Sequence, residues 1–457
     1  VAQSLFSVGG LASGMDSNAI VDKLVELESL PLQTLQKRQS AFRTQISILG
    51  DLASRVAALK SAASSLATGG VLATQATSTN TSFTAVPGSG AIAGSYDVQV
   101  GTLARAAKWR SGPFGGVDVL QAGTLTLTVD GVTYPPVGDP DHPPIAITGS
   151  TSLASVADAI RASGAPVSVA VLDDGTRKYL SVTARSTGYQ TDAALTVGFT
   201  PADPPDAGVD LRTGQYAEDA ANAGFTIDNL AFVRTSNTIS DALPGTTLTL
   251  KAGGGARETL SIANDVAGTR ARLQGYVDAY NALMSAVKGQ LAVSAGTDRA
   301  RTLAGDGTVR QLQQALGALG SATVPGLSTV RSLADLGLKS GRDGTLSIDD
   351  ATLAGAVARD PAAVNAVFAG ATNGISRLVT ALADTFTAPS TGLLVSRQSG
   401  LEKQIRALDA RALELQARID AFRAGLVAQF TAMEKVVGQL KNVGNFLTMQ
   451  ENAARSS

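Results

Sequence analysis

Apolar positions recur at steps of three and four residues near both ends of the chain, and at steps of two through much of its middle. Near the N-terminus, Asp16 or Ser17 can cap a helix beginning at Asn18, since a short polar side chain accepts from the unpaired first-turn N–H groups. Pro31 predicts an end or a kink there, because proline brings no N–H to the ladder and disfavours a helical residue before it. A second helix is then expected. Leu32, Leu35, Phe42, Ile46, Leu49, Ala53, Val56, Ala63 and Leu66 form one narrow stripe, and the run Ala67-Thr-Gly-Gly-Val stops it.

The segment from about Leu393 to Met449 predicts one long helix of roughly 80 Å. Leu401, Ile405, Leu408, Ala412, Leu415, Ile419, Phe422 and Leu426 alternate steps of four and three, the repeat of a coiled coil. The rhythm slips from Phe422 through Leu426 and Phe430 to Met433, a stutter that locally unwinds a supercoil, and resumes at Val437 and Leu440. A narrow seam on so long a helix needs a partner, and the N-terminal stripe supplies one. Phe422, just before the stutter, is expected to be a buried seam anchor with no cation beside it.

Between the ends, β-rich runs alternate with turn residues. Leu125-Thr-Leu-Thr-Val, Asp130-Gly131 and Val132-Thr-Tyr predict a hairpin. Val167-Ser-Val-Ala-Val-Leu, the Asp173-Asp-Gly turn and Tyr179-Leu-Ser-Val-Thr repeat that logic, as do Thr246-Thr-Leu-Thr-Leu, Gly253-Gly-Gly and Glu258-Thr-Leu-Ser-Ile. Stretches 134–144 and 200–214, rich in proline, glycine and aspartate, read as exposed loops. Helical signal returns from Arg270 to Leu291 and dominates afterwards. The fold class expected is multidomain α+β: paired N- and C-terminal helices as a coiled-coil leg and helical domain, with antiparallel β-rich head domains inserted, in an elongated molecule.

Composition narrows the chemistry. At 457 residues, 44% hydrophobic and 16% charged, the chain suits two to four folded domains. A net charge of −1 gives no electrostatic pull toward nucleic acid or an anionic membrane. With no cysteine, disulfides, thiolate metal sites and thiol nucleophiles are excluded. The single histidine, His142, sits among prolines and reads as a solvated loop residue. Gly9, Gly10 and Gly14 lack the lysine and hydroxyl residue of a phosphate loop, so they read as a flexible lead into a capped helix. Asp343-Gly-Thr-Leu-Ser-Ile-Asp349-Asp350 lacks the ligand spacing of a calcium loop; a turn, a short strand and a helix cap account for it. No cofactor, metal or catalytic residue is expected. The opening VAQSLFSVGG does not predict a cleaved signal peptide, and no apolar run is long enough to span a bilayer. The seam by itself serves an intramolecular hairpin nearly as well as an assembly.

A resemblance weighs toward assembly. The opening from Val8 to Leu32 resembles the N-terminal signature of the flagellar hook-associated protein 2 family, the filament-capping proteins. Gly10 to Asp16 give its Gly-Leu-small-Gly-hydrophobic-Asp start, Ile20 to Leu24 its Ile-Val-x-x-Leu helix, and Glu28 to Leu32 its Glu-x-x-Pro-Leu break. Ser95 to Ala104 is similar to its first head strand, and Ala223 to Leu230 with Arg234 to Leu250 to its central signature. Tyr276-Val-Asp-Ala-Tyr-Asn-Ala-Leu is similar to its return helix. Leu336-Gly-Leu, Asp343 to Asp349, Asp360-Pro-Ala-Ala-Val and Val367-Phe-Ala-Gly follow in order. The resemblance is weakest from about 104 to 222.

It implies a structural protein and not an enzyme: a homo-oligomeric ring at the distal tip of the bacterial flagellum that promotes flagellin insertion and prevents its leakage. Implied partners are the chain itself, flagellin, hook–filament junction proteins and an export chaperone. The implied location is extracellular, reached by the flagellar type III route. Alternatives are another axial protein, flagellin-like or at the hook–filament junction, and an additional adhesin role of the head. Pattern and resemblance together divide the chain into a leg (1–42, 406–457), a helical domain (43–75, 268–405), an inner head (76–103, 223–267) and an outer β-rich head (104–222). The candidate assembly surface comprises Leu11, Ile20, Val21, Leu24, Leu27, Leu32, Leu35 and Phe42 with Leu401, Ile405, Leu408, Leu415, Ile419, Phe422, Leu426, Phe430, Met433, Val437 and Leu440. Residues 1 to about 15 are expected to order only on assembly, since three glycines raise the entropic cost of fixing them.

Overall fold

The computed structural model describes residues 15–455 except 80, 116–117, 137, 139, 297 and 370–372, with the side chains of 453–455 also outside it. Leu11, the glycines Gly9, Gly10 and Gly14, and the ordering expected of the first residues therefore lie outside the described residues. The chain forms two compact units, one of Val1–Val71 with Arg272–Ser457, here the terminal unit, and one of Leu72–Ala271, the insert unit.

The terminal unit begins with α1 (Ser17–Gly69), capped by Asp16, whose carboxylate accepts from the Ala19 N–H at 3.0 Å. Gly70 ends it at φ 79°, a left-handed conformation that glycine adopts without strain. Pro31 does not end the helix, and no second helix starts after it: α1 runs on as one helix of 53 residues. Proline removes a single intrahelical bond, to the Leu27 carbonyl, and its ring faces solvent, where water can satisfy that carbonyl. The inner face passes from Val25 through Glu28 and Ser29 to the buried Leu32, and contacts with α8 before and after the proline, Glu28 with Arg418 and Gln39 with Asp409, outweigh the local penalty.

In the insert unit every pair of named strands is antiparallel. A five-stranded sheet has the order β1 (Ala73–Ser78), β16 (Glu258–Asp265), β3 (Gly94–Thr102), β12 (Ala223–Ile227), β13 (Leu230–Arg234). A three-stranded sheet runs β14 (Thr238–Leu243), β15 (Thr246–Leu250), β2 (Phe83–Pro87). Phe83, Val98, Val100, Phe225, Leu248 and Leu260 share the core they enclose. A second core, with Trp109, Leu125, Leu127, Ile160, Leu180 and Val182, lies within residues 107–220. It is built from a sheet of β10 (Leu195–Pro201), β5 (Gly123–Val129) and β6 (Val132–Tyr134), with β7 (Ile145–Ile147) on β5. Its other sheet is β11 (Tyr216–Glu218), β4 (Lys108–Arg110), β9 (Lys178–Ala184), β8 (Val167–Asp173), and one helix, α2 (Leu153–Ala162), packs with them.

The Asp130-Gly131 hairpin forms as expected, both residues at positive φ (48° and 77°), as a two-residue turn of matching twist requires. The β8–β9 hairpin also forms. The third expected hairpin does not: β15 and β16 lie in different sheets. After β15 the Gly253-Gly-Gly segment pairs with the end of β3, Gly254 and Gly255 donating to the Gly101 and Val100 carbonyls, and this carries the chain across to the other sheet. His142 is half-buried against Gly164 and not fully solvated as expected; a Cβ on Gly164 would meet its Nε2 at 2.9 Å.

The chain continues as α3 (Val266–Leu291), α4 (Gly307–Gly320), the β17 (Leu338–Ser340) and β18 (Leu346–Ile348) ribbon, α5 (Asp350–Arg359), α6 (Pro361–Ala369), α7 (Ile375–Thr387) and α8 (Leu393–Arg455). The segment from Asp343 to Asp350 is a turn, a strand and a cap: Asp343 accepts from Thr345, and Asp349 accepts from the Thr352 N–H at 2.8 Å. No helix of the described residues is long and apolar enough to cross a membrane. The fold is multidomain α+β with paired terminal helices and inserted antiparallel sheets.

Candidate functional site

The two long helices α1 and α8 meet in one direction only. Asp22, Glu28, Gln39 and the Ile46 carbonyl bond Arg423, Arg418, Asp409 and Gln398, so as one number rises the other falls by a similar step, an antiparallel pair. Carried forward, this register brings the first turns of α1 alongside Leu426 and Val427, and α8 runs on from there to Arg455.

Of the candidate surface, Val21, Leu32, Leu401 and Ile419 are buried. Leu35, Phe42, Ile405, Leu408, Leu415, Leu426, Phe430, Met433 and Val437 are half-buried. Ile20, Leu24, Leu27, Phe422 and Leu440 are exposed. Phe422 is therefore not the buried anchor expected: it is 39% exposed, and the next residue, Arg423, pairs with Asp22 at 2.8 Å. Helical geometry gives the reason. On a straight α-helix Leu401 and Ile419 stand about five turns apart at one angle, whereas Phe422 and Leu440 fall about 60° to one side. The heptad count assumed a supercoil that keeps them on the seam.

The pair also holds polar residues that the apolar count passed over. Gln39 is 8% exposed, and its amide donates to the Asp409 carboxylate at 2.8 Å. It occupies the step between Leu35 and Phe42, so a polar residue on seam spacing was the available signal. A single polar contact in an apolar seam fixes register at some cost in stability. Gln39→Leu alone strands the half-buried Asp409; Gln39→Leu with Asp409→Leu removes both partners. Denaturant unfolding of the double-mutant cycle is expected to give about 1 kcal/mol of coupling. Zero coupling would show the pair to be incidental.

Below the helix pair, α3 ties the terminal unit together. Tyr276 is 1% exposed and packs edge-on against Phe368, ring centroids 5.0 Å apart. Tyr280 donates to the Leu316 carbonyl at 3.0 Å, and burial pushes its phenol up to about 12. Burial raises the Tyr276 phenol as well. Asn281 grips the backbone of Leu346 with both ends of its amide, donating to the carbonyl at 2.8 Å and accepting from the N–H at 2.7 Å. The return-helix phrase and the Asp343–Asp349 phrase, far apart in sequence, are thus joined. In the insert unit, Asn237 holds Ala104 and Asn222 holds Tyr189 in the same two-ended way. Among the described residues no cluster of three or more histidines and carboxylates could hold a metal ion.

Comparison with known proteins places this architecture. Residues 13–107 match the family model for the flagellar hook-associated protein 2 N-terminus, and residues 220–442 that for its C-terminus. Flagellar hook-associated protein 2 of Escherichia coli K12 is 30% identical over 466 residues, covering 98% of both chains. The chain belongs to the flagellar hook-associated protein 2 family. The B-type protein of Pseudomonas aeruginosa is 28% identical over 465 residues, with 95% of each chain covered. The crystal structure of the D1-D2-D3 domains of the E. coli flagellar cap protein aligns with a TM-score of 0.63 at 28% identity, over 78% of this chain and 100% of that one. In this family member the two model matches take in α1 and most of α8, along with the Asn281 and Asn237 clamps. Residues 108–219, which carry most of the second insert-unit core, lie between them.

Proposed function

We propose that this chain is a filament cap at the distal tip of a bacterial flagellum: a structural protein without catalysis, forming a homo-oligomeric ring that promotes flagellin insertion and prevents flagellin leakage. The observation that carries this reading is the match to a relative along 98% of both chains, with the paired terminal helices in place. In this reading the four-part division expected from sequence supplies a leg, a helical domain and an inner and outer head. The exposed apolar residues Ile20, Leu24, Leu27, Phe422 and Leu440 offer the leg surface for other subunits, while Val21, Leu32 and Ile419 hold the leg itself together and Leu401 continues the buried seam into the helical domain. Export by the flagellar type III route, with a chaperone beforehand, and contact with flagellin and hook–filament junction proteins follow from the same assignment. A chain without cysteines suits passage in an unfolded state, since no disulfide can lock it.

The test is complementation of a strain lacking its own cap gene. Supplying this chain, with flagellin from the same source, is expected to restore filaments and clear unpolymerised flagellin from the medium. Filaments that stay absent while the chain is exported and flagellin keeps leaking would refute the assignment.

A further inference from the structure

The outward face of the sheet β11-β4-β9-β8 carries an arginine held open for an anion. Trp109 faces inward, 1% exposed, and its indole donates to Gln215 at 2.8 Å. Strand alternation then turns Lys108 and Arg110 outward. The Arg110 guanidinium lies over the Tyr179 ring, 4.9 Å from its centroid, and over the Tyr216 ring at 5.9 Å. The ring contacts hold the guanidinium on this face and use none of its N–H groups, which stay available to a carboxylate. Among the described residues no acceptor takes a hydrogen bond from that guanidinium. The near carboxylate, Asp174, is committed elsewhere: it accepts from the Thr176 and Arg177 N–H groups, the Thr176 hydroxyl and, at 3.0 Å, the Tyr179 hydroxyl. Those donors hold it well below the usual carboxylate range and anchor the Tyr179 ring.

The same unit carries a complementary feature. Asp203, in Pro201-Ala-Asp-Pro-Pro-Asp206, is exposed, and its carboxylate has no partner among the described residues. The loop is pinned at both ends to one residue: Ala202 donates to the Ala122 carbonyl at 2.9 Å, and the Ala122 N–H donates to Asp206 at 3.1 Å. A fixed tongue therefore presents one carboxylate beside the compact apolar rings of Pro204 and Pro205. Tyrosine rings are suited to such rings, and a guanidinium to such a carboxylate.

We infer that the Asp203 loop of one copy docks on the Tyr179–Arg110–Tyr216 face of a second copy. Proline rings lie on tyrosine and Asp203 bonds the Arg110 guanidinium, while Lys108 has Glu218 directly across from it on β11. Each copy both gives a loop and receives one, so the contact can propagate between subunits. The inference rests on the reading of this chain as a self-assembling cap and names one contact within that assembly.

Sedimentation equilibrium of the full chain tests it. Arg110→Glu or Asp203→Lys is each expected to weaken self-association roughly tenfold or more. The Arg110→Glu/Asp203→Lys double variant is expected to recover it, as is an equimolar mixture of the two single variants, because every copy then meets an opposite charge. Single variants that associate like the wild type overturn the inference, and would mean that the face serves another acidic partner or none. So does a double variant no better than the singles, or a wild-type chain that stays monomeric across the micromolar range. Variants that associate like the wild type yet still clear flagellin from the medium would refute this contact and leave the cap assignment standing.

Discussion

Replacing Ile419 with aspartate is expected to separate the outer part of the α1–α8 pair and abolish capping, with the insert unit left folded. Ile419 is 4% exposed and lies between the two positions whose arginines pair with Glu28 and Asp22. Both arginines are committed to those acids, so a new carboxylate meets negative charge and no free cation on its own stretch of helix. Burying it unpaired costs about 3–5 kcal/mol. Local opening at the end of a two-helix arm needs little more than that. Hydrogen exchange is the readout: amides of Ser17–Leu35 and of α8 around residue 419 are expected to lose protection. Trp109, the only tryptophan, reports the second insert-unit core, and its fluorescence midpoint is expected to stay put. Retained protection around Ile419 would show that the helix pair does not depend on this position. Phe422→Asp, at an exposed position, should disturb the free chain far less.

Asn281→Ala is expected to destabilise the terminal unit by roughly 2–4 kcal/mol, because the Leu346 N–H and carbonyl each lose their partner. In a unit of this size the midpoint falls by roughly 5–15 °C. Calorimetry separates this transition from the one that Trp109 fluorescence follows. An unchanged midpoint would mean that water replaces both bonds, and that the clamp positions the β17–β18 ribbon without stabilising it.

Much of this architecture was legible in sequence because it rests on local chemistry. Asp16, Gly70 and the Asp130-Gly131 turn act on neighbouring backbone, so cap, stop and hairpin could be read from a few residues. The long C-terminal helix was legible from its repeat. What escaped depends on partners distant in sequence. Pro31 signals a break, and only the contacts that α1 makes with α8 on either side of it decide otherwise. Glu258 follows a glycine turn as a hairpin strand would, but pairing with β3 and β1 takes it to another sheet. Helix α2 lies in a stretch whose composition points to strands, although Ser152 as a cap with Val156, Ala157 and Ile160 behind it carries a helical signature. The asparagine clamps and the Arg110 stack had no signal short of the fold, since each joins residues that only tertiary structure brings together.

The most direct test of the central claim is electron cryomicroscopy of filament tips from a cap-deletion strain that carries only this chain. The account predicts density for several copies confined to the distal tip, with helix pairs entering the filament end and β-rich domains outside it. Bare tips, or copies placed along the shaft or at the hook junction, would contradict it.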